Sequence, residues 1–443
     1  MSLKEVKKIY MVGIKGVGMT ALAQIVQGMG KQVSGSDTHE EFFTQEVLRK
    51  LGIQYVEGFD AKNLPEHVDL LIYATAYPPE HPERAAARAR GIPELSYPQA
   101  LAEVASEYRL IAICGSHGKT TTTAMMGQML EALGMDPTVL VGSRVTAWGS
   151  NARVGKGEWM VVEADEYQNK FHHFKPTGVI VTNIDWDHPD FFPDARAYRR
   201  AFHDFLSMVP RDGWIVANAS DTESRAAVEG VEAPVHWFDP KAPFPPELAT
   251  AIVGVQNQAN AAAVLVAADA LGIPRDRATL GLASFRGTAR RMEHKGTVGE
   301  LMVFDDYAHH PSEITATIAA ARTQYPGARL IILFQPHTFS RTVTFLKEFA
   351  TALGAADDVW VTDIYGSARE QQGAVSPHDI VVAMNGHASA HDVRFADAAA
   401  AIAADLKVRL QSAPSVFITM GAGNGWKIGE DVLKKLKDYG QHS

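Results

Sequence analysis

Short apolar runs that end in a glycine or a polar residue recur along the chain, and many precede a longer stretch with helical spacing. Residues 9–13, 110–114, 179–182 and 330–334 are examples. A continuous apolar run of this length is typical of a strand buried on both faces, and parallel strands need a crossover helix between them. The pattern therefore predicts an α/β protein built on parallel sheets.

The same pattern predicts strands over 32–34, 68–74, 159–162, 301–305, 358–362 and 415–420, and helices over 19–29 and 124–133 and from 254 onward. Segment 142–157 is rich in glycine and polar residues and is interpreted as a loop over the substrate, although a solvated hairpin explains it equally well. Segment 285–300 carries mixed charges and few apolar residues, which indicates a domain boundary. We predict three domains, 1–107, 108–291 and 292–443.

A glycine-rich turn joins the predicted strand 110–114 to the helix after it. Its residues are Gly115, Ser116, His117, Gly118, Lys119, Thr120 and Thr121. Backbone N–H groups at a helix N-terminus point at one anion, a lysine adds charge for the outer phosphates, and a threonine hydroxyl can ligate Mg²⁺. Ile113 replaces the first glycine of the general P-loop pattern, so the motif is a shorter G-x-x-G-K-T. It predicts a phosphate-binding loop, and a plain glycine turn with a surface lysine is the alternative.

A second glycine turn follows the strand 9–13 and contains Gly13, Gly16 and Gly18, with Asp37 about 20 residues beyond it. This arrangement suits a nucleotide's diphosphate and ribose. Lys15 occupies the place of the middle glycine of a dinucleotide fingerprint, which weakens an NAD interpretation. An ordinary tight turn between strand and helix remains the alternative.

Polar side chains stand at the ends of two predicted strands of the central region. Glu163 ends the strand 159–162, where open α/β sheets bind ligands. We interpret the following pair, Asp165 and Glu166, as a solvated turn. His188 follows the strand 179–182 and, beside a phosphate-binding loop, is a candidate metal ligand.

Three further groups of polar residues are candidates. Asn257 and Asn260 lie three apart on a predicted helix, so their amides share one face and would either read a purine edge or cap the helix. Strand ends of the third domain carry Asp306, followed along the chain by His337 and Arg341. The adjacent His309 and His310 do not predict a metal site, because neighbouring side chains diverge.

Composition narrows the function. The 443 residues are 46% hydrophobic and 21% charged, and the net charge of −9 with no dense basic run argues against nucleic-acid binding. The single cysteine, Cys114, excludes an internal disulfide framework and is expected to be a small buried residue, with a reactive thiol the minor alternative. We expect a cytoplasmic protein without a signal peptide or membrane span; the sequence does not distinguish a monomer from a homodimer.

The motifs together resemble the ATP-dependent Mur ligases of peptidoglycan synthesis. The motifs occur along this chain in the same order as in that family. They are the turn at Gly13, the loop at Lys119, residues 163–166, Asn183 with Asp187 and His188, residues 257–260, residues 305–311 and Gly423. It implies a Rossmann-like UDP-sugar-binding N-terminal domain, a central P-loop ATPase-like domain and a Rossmann-like C-terminal domain that binds the amino acid and closes.

The resemblance also implies roles for the candidate residues. Lys119 is expected at the outer phosphates, Thr120 and Glu163 at a first Mg²⁺, and His188 at a second. Adenosine and phosphate contacts are expected from Asn257, Asn260, Arg291 and Asp306, where Asp306 faces the ribose and Arg290 could exchange roles with Arg291. His337 and Arg341 are expected at the amino-acid carboxylate.

The implied reaction joins L-alanine to the carboxylate of UDP-N-acetylmuramate through an acyl phosphate, with ATP and Mg²⁺ as cofactors. Such phosphoryl transfer needs positioning and charge neutralisation more than a protein nucleophile. Three alternatives stay open: a recycling ligase that adds a murein tripeptide to the same sugar nucleotide, an NAD enzyme and a nucleotide sensor without catalysis.

Overall fold

The structure is a computed structural model that describes residues 3–248, 252, 254–366, 372–409 and 414–441. Three sheets, each with helices, succeed one another along the chain, so the predicted α/β class and the three sheet-containing domains are confirmed. By compactness the chain divides into two units. The first comprises Met1–Trp186 and Asp194–Thr288 and carries two sheets; the second comprises Asp187–Pro193 and Ala289–Ser443 and carries the third.

The first sheet has five parallel strands in the order β3-β2-β1-β4-β5. Its strands are β1 (Lys8–Val12), β2 (Gln32–Asp37), β3 (Gln54–Glu57), β4 (Leu70–Tyr73) and β5 (Glu94–Ser96). Its helices are α1 (Val17–Gly28), α2 (Thr44–Lys50), α3 (Pro82–Ala89) and α4 (Tyr97–Ala105). Sequence signals fix two helix starts: proline opens α3, and Ser96 with Gln99 forms a capping box on α4.

The central sheet has seven strands in the order β12-β11-β10-β6-β9-β7-β8, all parallel except the β7–β8 pair. The strands are β6 (Arg109–Cys114), β7 (Thr138–Val145), β8 (Ser150–Arg153), β9 (Trp159–Glu163), β10 (Gly178–Val181), β11 (Trp214–Asn218) and β12 (Val235–Phe238). The α-helices are α5 (Lys119–Ala132), α6 (Ala195–Leu206), α7 (Thr222–Ala227), α8 (Val255–Ala270) and α9 (Arg275–Leu282).

The core of the central domain explains why its inner strands are mainly apolar. Strand β10 reads GVIV and is buried at every position, because helices cover both faces of a parallel sheet. Helix α5 is buried from Thr120 to Leu130 and packs Met125 and Met129 into the same cluster as β6. Cys114 at the end of β6 is also buried, and burial raises the pKa of its thiol, as expected for an inert residue.

Segment 142–157 is a hairpin and not a loop. Strands β7 and β8 pair antiparallel across it, and β8 docks on α1 of the first domain. There Asn151 is fully buried, donates to the Val17 carbonyl oxygen at 2.7 Å and accepts from the Gln24 amide at 3.2 Å. The structure therefore has the alternative, a hairpin: Gly142, Arg144, Thr146 and Gly149 are exposed, and the buried residues of β8 pack against α1, which lies far away in sequence.

The third sheet has six strands in the order β13-β14-β18-β15-β16-β17, of which only β13 is antiparallel. The strands are β13 (Glu293–Val298), β14 (Leu301–Asp306), β15 (Arg329–Phe334), β16 (Asp358–Val361), β17 (Ser389–Asp392) and β18 (Ser415–Met420). The helices are α10 (Pro311–Gln324), α11 (Phe339–Thr344), α12 (Leu346–Leu353), α13 (Pro377–Ala383), α14 (Phe395–Arg409) and α15 (Trp426–Gln441).

The strand boundaries separate three sheets along the chain, but they do not test the predicted limits between the domains. The first sheet and its helices end at Ala105, the second sheet begins at Arg109, and the third begins at Glu293. The limits at 107/108 and 291/292 remain a prediction.

Within the described part of the chain, the structure contains no helix with the length and apolar character needed to cross a bilayer.

Candidate active site

The turn between β6 and α5 has the backbone shape of an anion-binding loop. Gly118 has φ +82°, and a Cβ there would lie 2.5 Å from Oδ1 of Asn260, so only glycine fits. Helix α5 begins at the next residue, which directs the positive end of its dipole at the loop. The predicted strand, glycine loop and helix are therefore present, with Asn260 packed against the loop.

Asn183, the second residue after β10, fixes this loop in place. Its side chain accepts from the His117 N–H at 3.0 Å and donates to the His117 carbonyl oxygen at 3.1 Å. Its own carbonyl oxygen accepts from the Ser116 N–H at 3.0 Å. Sequence reasoning gave Asn183 no role, although its position at the end of a buried strand was a usable signal.

Lys119 lies across the loop. Its Nζ donates to the carbonyl oxygens of Gly115 at 2.5 Å and Ser116 at 3.1 Å, and to the carboxylate of Glu166 at 2.9 Å. Burial by itself would lower the pKa of Lys119, but the carboxylates of Glu166, Asp165 and Glu163 outweigh it and hold that pKa above its ordinary value. Lys119 is therefore a charged ammonium at the loop.

Glu163 and Thr120 are brought together as predicted. Glu163 ends β9, which pairs with β6, and its Oε1 accepts from the Thr120 hydroxyl at 3.0 Å. Its Oε2 accepts from the Gly142 N–H at 2.6 Å. A hydroxyl and a carboxylate beside a phosphate-binding loop form an oxygen donor set that fits Mg²⁺.

Glu166 contradicts the prediction of a solvated turn. Its side chain is only 1% exposed and forms the ion pair with Lys119. Oε1 also accepts from the hydroxyl of Tyr198, a fully buried residue of α6, at 2.9 Å. A charged residue after a strand looks solvated in sequence, because the lysine and tyrosine that bury it lie 47 and 32 residues away. Asp165, its neighbour, fits the prediction better: its side chain is 46% exposed and pairs with Lys170.

The two asparagines of α8 differ in their surroundings. Asn260 is 8% exposed and lies against Gly118, whereas Asn257, one turn earlier, is half-buried. Both lie near the start of α8 in the same compact unit as the loop. The expected adenosine contacts of Asn257 and Asn260 stay a prediction.

The glycine turn of the first domain is organised by its own residues. Lys15 is fully buried and donates to the Glu40 carbonyl oxygen at 2.7 Å and to Glu57 at 3.0 Å. Asp37 accepts from the Lys15 N–H at 2.6 Å, and burial raises the pKa of that carboxyl. Asp37 thus closes the turn internally, a role the sequence did not indicate.

Packing also accounts for two glycines of this turn. A Cβ on Gly13 would lie 2.5 Å from the Tyr77 ring, and one on Gly18 would lie 2.6 Å from Tyr97. Gly16 tolerates a Cβ better, at 3.3 Å from the nearest atom. The predicted nucleotide contacts of Gly13, Gly16, Gly18 and Asp37 remain a prediction.

In the second unit, Arg341 is paired with Asp187. Its Nε and Nη2 donate to the two Asp187 oxygens at 2.9 and 3.0 Å, and both residues are buried. Burial would raise the pKa of Asp187, but Arg341 and the nearby histidines hold it well below its usual range. Nη1 of Arg341 also lies 3.0 Å from Nδ1 of His337. The two residues predicted to bind the amino-acid carboxylate are therefore adjacent, and the guanidinium already binds an internal carboxylate.

His188 stands in an unusual backbone conformation. Its φ is +56°, in the left-handed region that a non-glycine residue rarely adopts, and its side chain is 24% exposed. Its N–H donates to Asp187 Oδ1 at 2.6 Å, which holds the conformation. Such strain is common at functional sites, but the metal role of His188 remains a prediction.

The two adjacent arginines have different surroundings. Arg290 donates to Asp305 at 2.9 Å and to the carbonyl oxygens of Gly421 and Gly423 at 2.6 and 3.1 Å. Arg291 lies 3.7 Å from Glu313 and near a tyrosine ring. Arg290 thus holds strand ends together, and the phosphate contact of Arg291 stays a prediction.

Asp306, the residue expected to contact the ribose, is buried. The side chain is 4% exposed, and its oxygens accept from the N–H groups of Met292 and Ala308, each at 2.8 Å. Burial raises the pKa of Asp306 to about 6. In this conformation Asp306 organises backbone, and its ribose contact stays a prediction.

His309 and His310 diverge, as the sequence indicated. Nδ1 of His309 lies 3.0 Å from the Tyr307 carbonyl oxygen, whereas Nδ1 of His310 lies 2.7 Å from Ser312 Oγ. Burial lowers the pKa of His309 to about 3, so the ring is neutral. The adjacent pair does not share a ligand.

A glycine loop between a parallel strand and a helix, with a lysine at the helix start and a carboxylate on the neighbouring strand, is the arrangement typical of α/β proteins that bind phosphate groups. Three family models match the chain: "Mur ligase family, catalytic domain" over residues 8–109, "Mur ligase middle domain" over 113–244 and "Mur ligase, glutamate ligase domain" over 290–423. The chain belongs to the Mur ligase family, and the predicted resemblance is confirmed.

Individual relatives agree with this assignment. The UDP-N-acetylmuramate–L-alanine ligase of Oleidesulfovibrio alaskensis is 36% identical over 452 residues, which cover 97% of this chain and 99% of the relative. The crystal structure of a UDP-N-acetylmuramate-alanine ligase from Thermotoga maritima has a TM-score of 0.78 at 27% identity and covers 98% of this chain and 100% of that one. A murein peptide ligase from Psychrobacter arcticus, at 23% identity and a TM-score of 0.71, covers 97% of this chain and 98% of its own and shares the fold.

Proposed function

We propose that the chain joins the amino group of L-alanine to the carboxylate of UDP-N-acetylmuramate, using ATP and passing through an acyl phosphate. The observation that carries the proposal is the loop at Lys119, with the Thr120 hydroxyl bonded to Glu163 at 3.0 Å on the neighbouring strand. The near full-length similarity to L-alanine ligases supports the choice of substrates.

The first step transfers a phosphoryl group. A carboxylate oxygen of the sugar nucleotide attacks the γ-phosphorus of ATP, the bond to the bridging oxygen breaks, and ADP leaves. Lys119 and the N–H groups at the start of α5 face the phosphates and counter their charge. Because these donors belong to a partly buried loop that Asn183 holds by hydrogen bonds, they are fixed before the substrate binds.

Thr120 and Glu163 are proposed to hold Mg²⁺, with His188 as ligand of a second ion. A bound Mg²⁺ would neutralise charge on the transferred phosphoryl group. Glu163 is oriented for this by the Gly142 N–H, which holds one carboxylate oxygen while the other faces Thr120. Asn257, Asn260 and Arg291 are proposed for the adenosine and phosphate side.

The second step forms the amide. The amine nitrogen of L-alanine attacks the acyl carbon, and inorganic phosphate leaves. We propose Arg341 and His337 for the carboxylate of the amino acid. Arg341 would then exchange the Asp187 carboxylate for that of the substrate, so the internal pair preserves the guanidinium's orientation until the exchange. The UDP moiety is assigned to the first domain, and a cytoplasmic location remains a prediction.

The recycling ligase is the second candidate, because the Psychrobacter murein peptide ligase shares the fold. The protein is incubated with ATP, Mg²⁺, UDP-N-acetylmuramate and equal amounts of L-alanine and L-alanyl-γ-D-glutamyl-diaminopimelate, and the products are identified by mass spectrometry. We expect the alanine adduct to dominate. Preferential tripeptide incorporation would transfer the assignment to the recycling ligase, and a product from neither amine would reject both.

A further inference from the structure

Three carboxylates lie within four residues at the end of β9, and two of them, Glu163 and Glu166, serve different partners. Glu163 faces Thr120 and the Gly142 N–H, whereas Glu166 is almost completely buried against Lys119 and Tyr198. The proposed chemistry uses Glu163 but assigns nothing to Glu166. A buried carboxylate is costly unless it is paired and hydrogen-bonded, so its position requires an explanation.

The backbone around Glu166 is held firmly. Gln168 and Asn169 both have positive φ, 58° and 55°, which turns the chain sharply after Glu166. The Asn169 N–H donates to the Glu166 carbonyl oxygen at 2.9 Å. Phe171 then anchors the segment by stacking on Phe205 of α6 with ring centroids 4.5 Å apart. Because Tyr198 belongs to the same helix, α6 fixes both the segment and the Glu166 carboxylate.

Glu166 completes the set of acceptors around one ammonium group. Lys119 has three N–H donors, and its three partners are the carbonyl oxygens of Gly115 and Ser116 and the carboxylate of Glu166. A lysine side chain is long and flexible, so holding it in one place costs conformational entropy. The fixed carboxylate supplies that order before any phosphate arrives, which is the condition for effective electrostatic catalysis.

The network also reaches the loop backbone. The Tyr198 hydroxyl lies 2.9 Å from both Glu166 Oε1 and Ser116 Oγ. Ser116 Oγ lies 2.7 Å from both the carbonyl oxygen and the N–H of Asp185. The tyrosine has one proton, and a carboxylate is the stronger acceptor, so Tyr198 donates to Glu166. The Ser116 hydroxyl gives its own proton to the Asp185 carbonyl oxygen, so Tyr198 lies against the loop without a second hydrogen bond, and the carboxylate is joined to the loop through Lys119.

We propose that Glu166, held by Tyr198, is a positioning residue that sets the Lys119 ammonium at the transferred phosphoryl group. The inference rests on the proposed phosphoryl-transfer function and adds a second carboxylate to it, one that acts through the lysine and not through the metal. A merely structural ion pair would contribute to stability alone. A positioning residue changes kcat more than it changes KM for ATP.

The test compares Glu166→Gln, Tyr198→Phe and their double variant with the parent in full-length protein. Asp165→Asn is the matched control, because this neighbouring carboxylate is 46% exposed and pairs with Lys170. Initial rates give kcat and KM for ATP, circular dichroism and thermal midpoints report folding, and Glu166→Asp tests rescue. Phosphate release from ATP that is uncoupled from amide formation is measured as well. If the parent makes no alanine adduct, the proposed reaction is refuted, and the variants can still be compared by their phosphate release.

We expect Glu166→Gln to lower kcat at least about tenfold, with KM for ATP within about threefold of the parent, because a charge-assisted hydrogen bond is lost. Tyr198→Phe lowers kcat by about threefold but causes no further loss in the Glu166→Gln background, since it acts through the same carboxylate. Glu166→Asp recovers part of kcat, and Asp165→Asn stays within about twofold of the parent.

Several results would overturn the proposal: a Glu166→Gln kcat above a third of the parent value, losses that multiply in the double variant, or an equal loss in Asp165→Asn. Where Glu166→Gln does not fold, Tyr198→Phe decides. A lowered kcat with unchanged KM for ATP supports the positioning role, and parent-like kinetics reject it.

Discussion

Replacing Lys119 with alanine is expected to have two separable effects, one on catalysis and one on stability. The lysine faces the proposed phosphate site, and it is also the cation of a buried ion pair with Glu166. A simple loss of activity would therefore be ambiguous. The structure supplies the magnitudes that distinguish the two effects.

The stability effect follows from burial. The Lys119 side chain is 15% exposed and that of Glu166 is 1% exposed, so the variant leaves a carboxylate buried without its cation. Removing one partner of a buried pair costs about 3–5 kcal/mol. Tyr198 still donates to Glu166, which places the expected loss toward the lower end of that range.

The catalytic effect follows from charge. Loss of a fixed positive charge beside the transferred phosphoryl group is expected to cost about 3 kcal/mol or more, which is a factor of at least about a hundred in rate. Binding of UDP-N-acetylmuramate should stay nearly unchanged, since that substrate is assigned to the first domain.

The double variant Lys119→Ala/Glu166→Gln separates the effects, because it also removes the unpaired charge. We expect it to recover most of the thermal stability while phosphate release remains abolished. Thermal midpoints, a phosphate-release assay and calorimetric titration with the sugar nucleotide are the measurements. Turnover above a tenth of the parent rate in either variant would refute the phosphate-binding role of Lys119, and an unchanged midpoint in the single variant would refute the energetic reasoning.

Two further predictions concern histidines of the second unit. His188→Ala should raise the Mg²⁺ concentration needed for half-maximal activity more than it weakens ATP binding, because it removes a proposed ligand; an unchanged Mg²⁺ dependence in initial-rate titrations means that His188 binds no metal. His309 should make the protein sensitive to acid. Burial lowers the pKa of His309 from 6.5 to about 3, so between these pH values the unfolded chain binds a proton that the folded chain does not. Stability therefore falls as the pH is lowered. At pH 5 the loss amounts to about 2 kcal/mol, and His309→Gln should therefore show a smaller drop of thermal midpoint between pH 7 and pH 5 than the parent; equal drops would contradict the assignment.

Sequence reasoning placed the glycine loop between a strand and a helix correctly, because its signals are local. The buried strand before Gly115, the glycines and the helix after Lys119 each follow from neighbouring residues, and the structure has β6 and α5 on either side of the loop. Glu163 was found for the same reason: parallel strands end at one edge of a sheet, so a polar residue at a strand end lies beside the loop.

Other features were not indicated by the sequence, because the environment of the side chains comes from distant parts of the chain. Segment 142–157 is polar, and only its contact with α1 makes it an ordered hairpin. Arg341 finds Asp187 from 154 residues away, so no local pattern indicated that the guanidinium already holds a carboxylate.

The sequence by itself determined most of the buried parallel strands, the succession of three α/β regions and the position of the loop, since apolar periodicity and glycine conformations are properties of short segments. It did not indicate the half-exposed strands β3, β5, β12 and β17. The tertiary structure decided which charged residues are buried. Glu166 and Asp165 are neighbours of the same charge, yet one pairs with Lys119 inside the protein and the other faces solvent beside Lys170. Burial of a charge depends on a partner and on exclusion of water, and both are supplied here by helices remote in sequence.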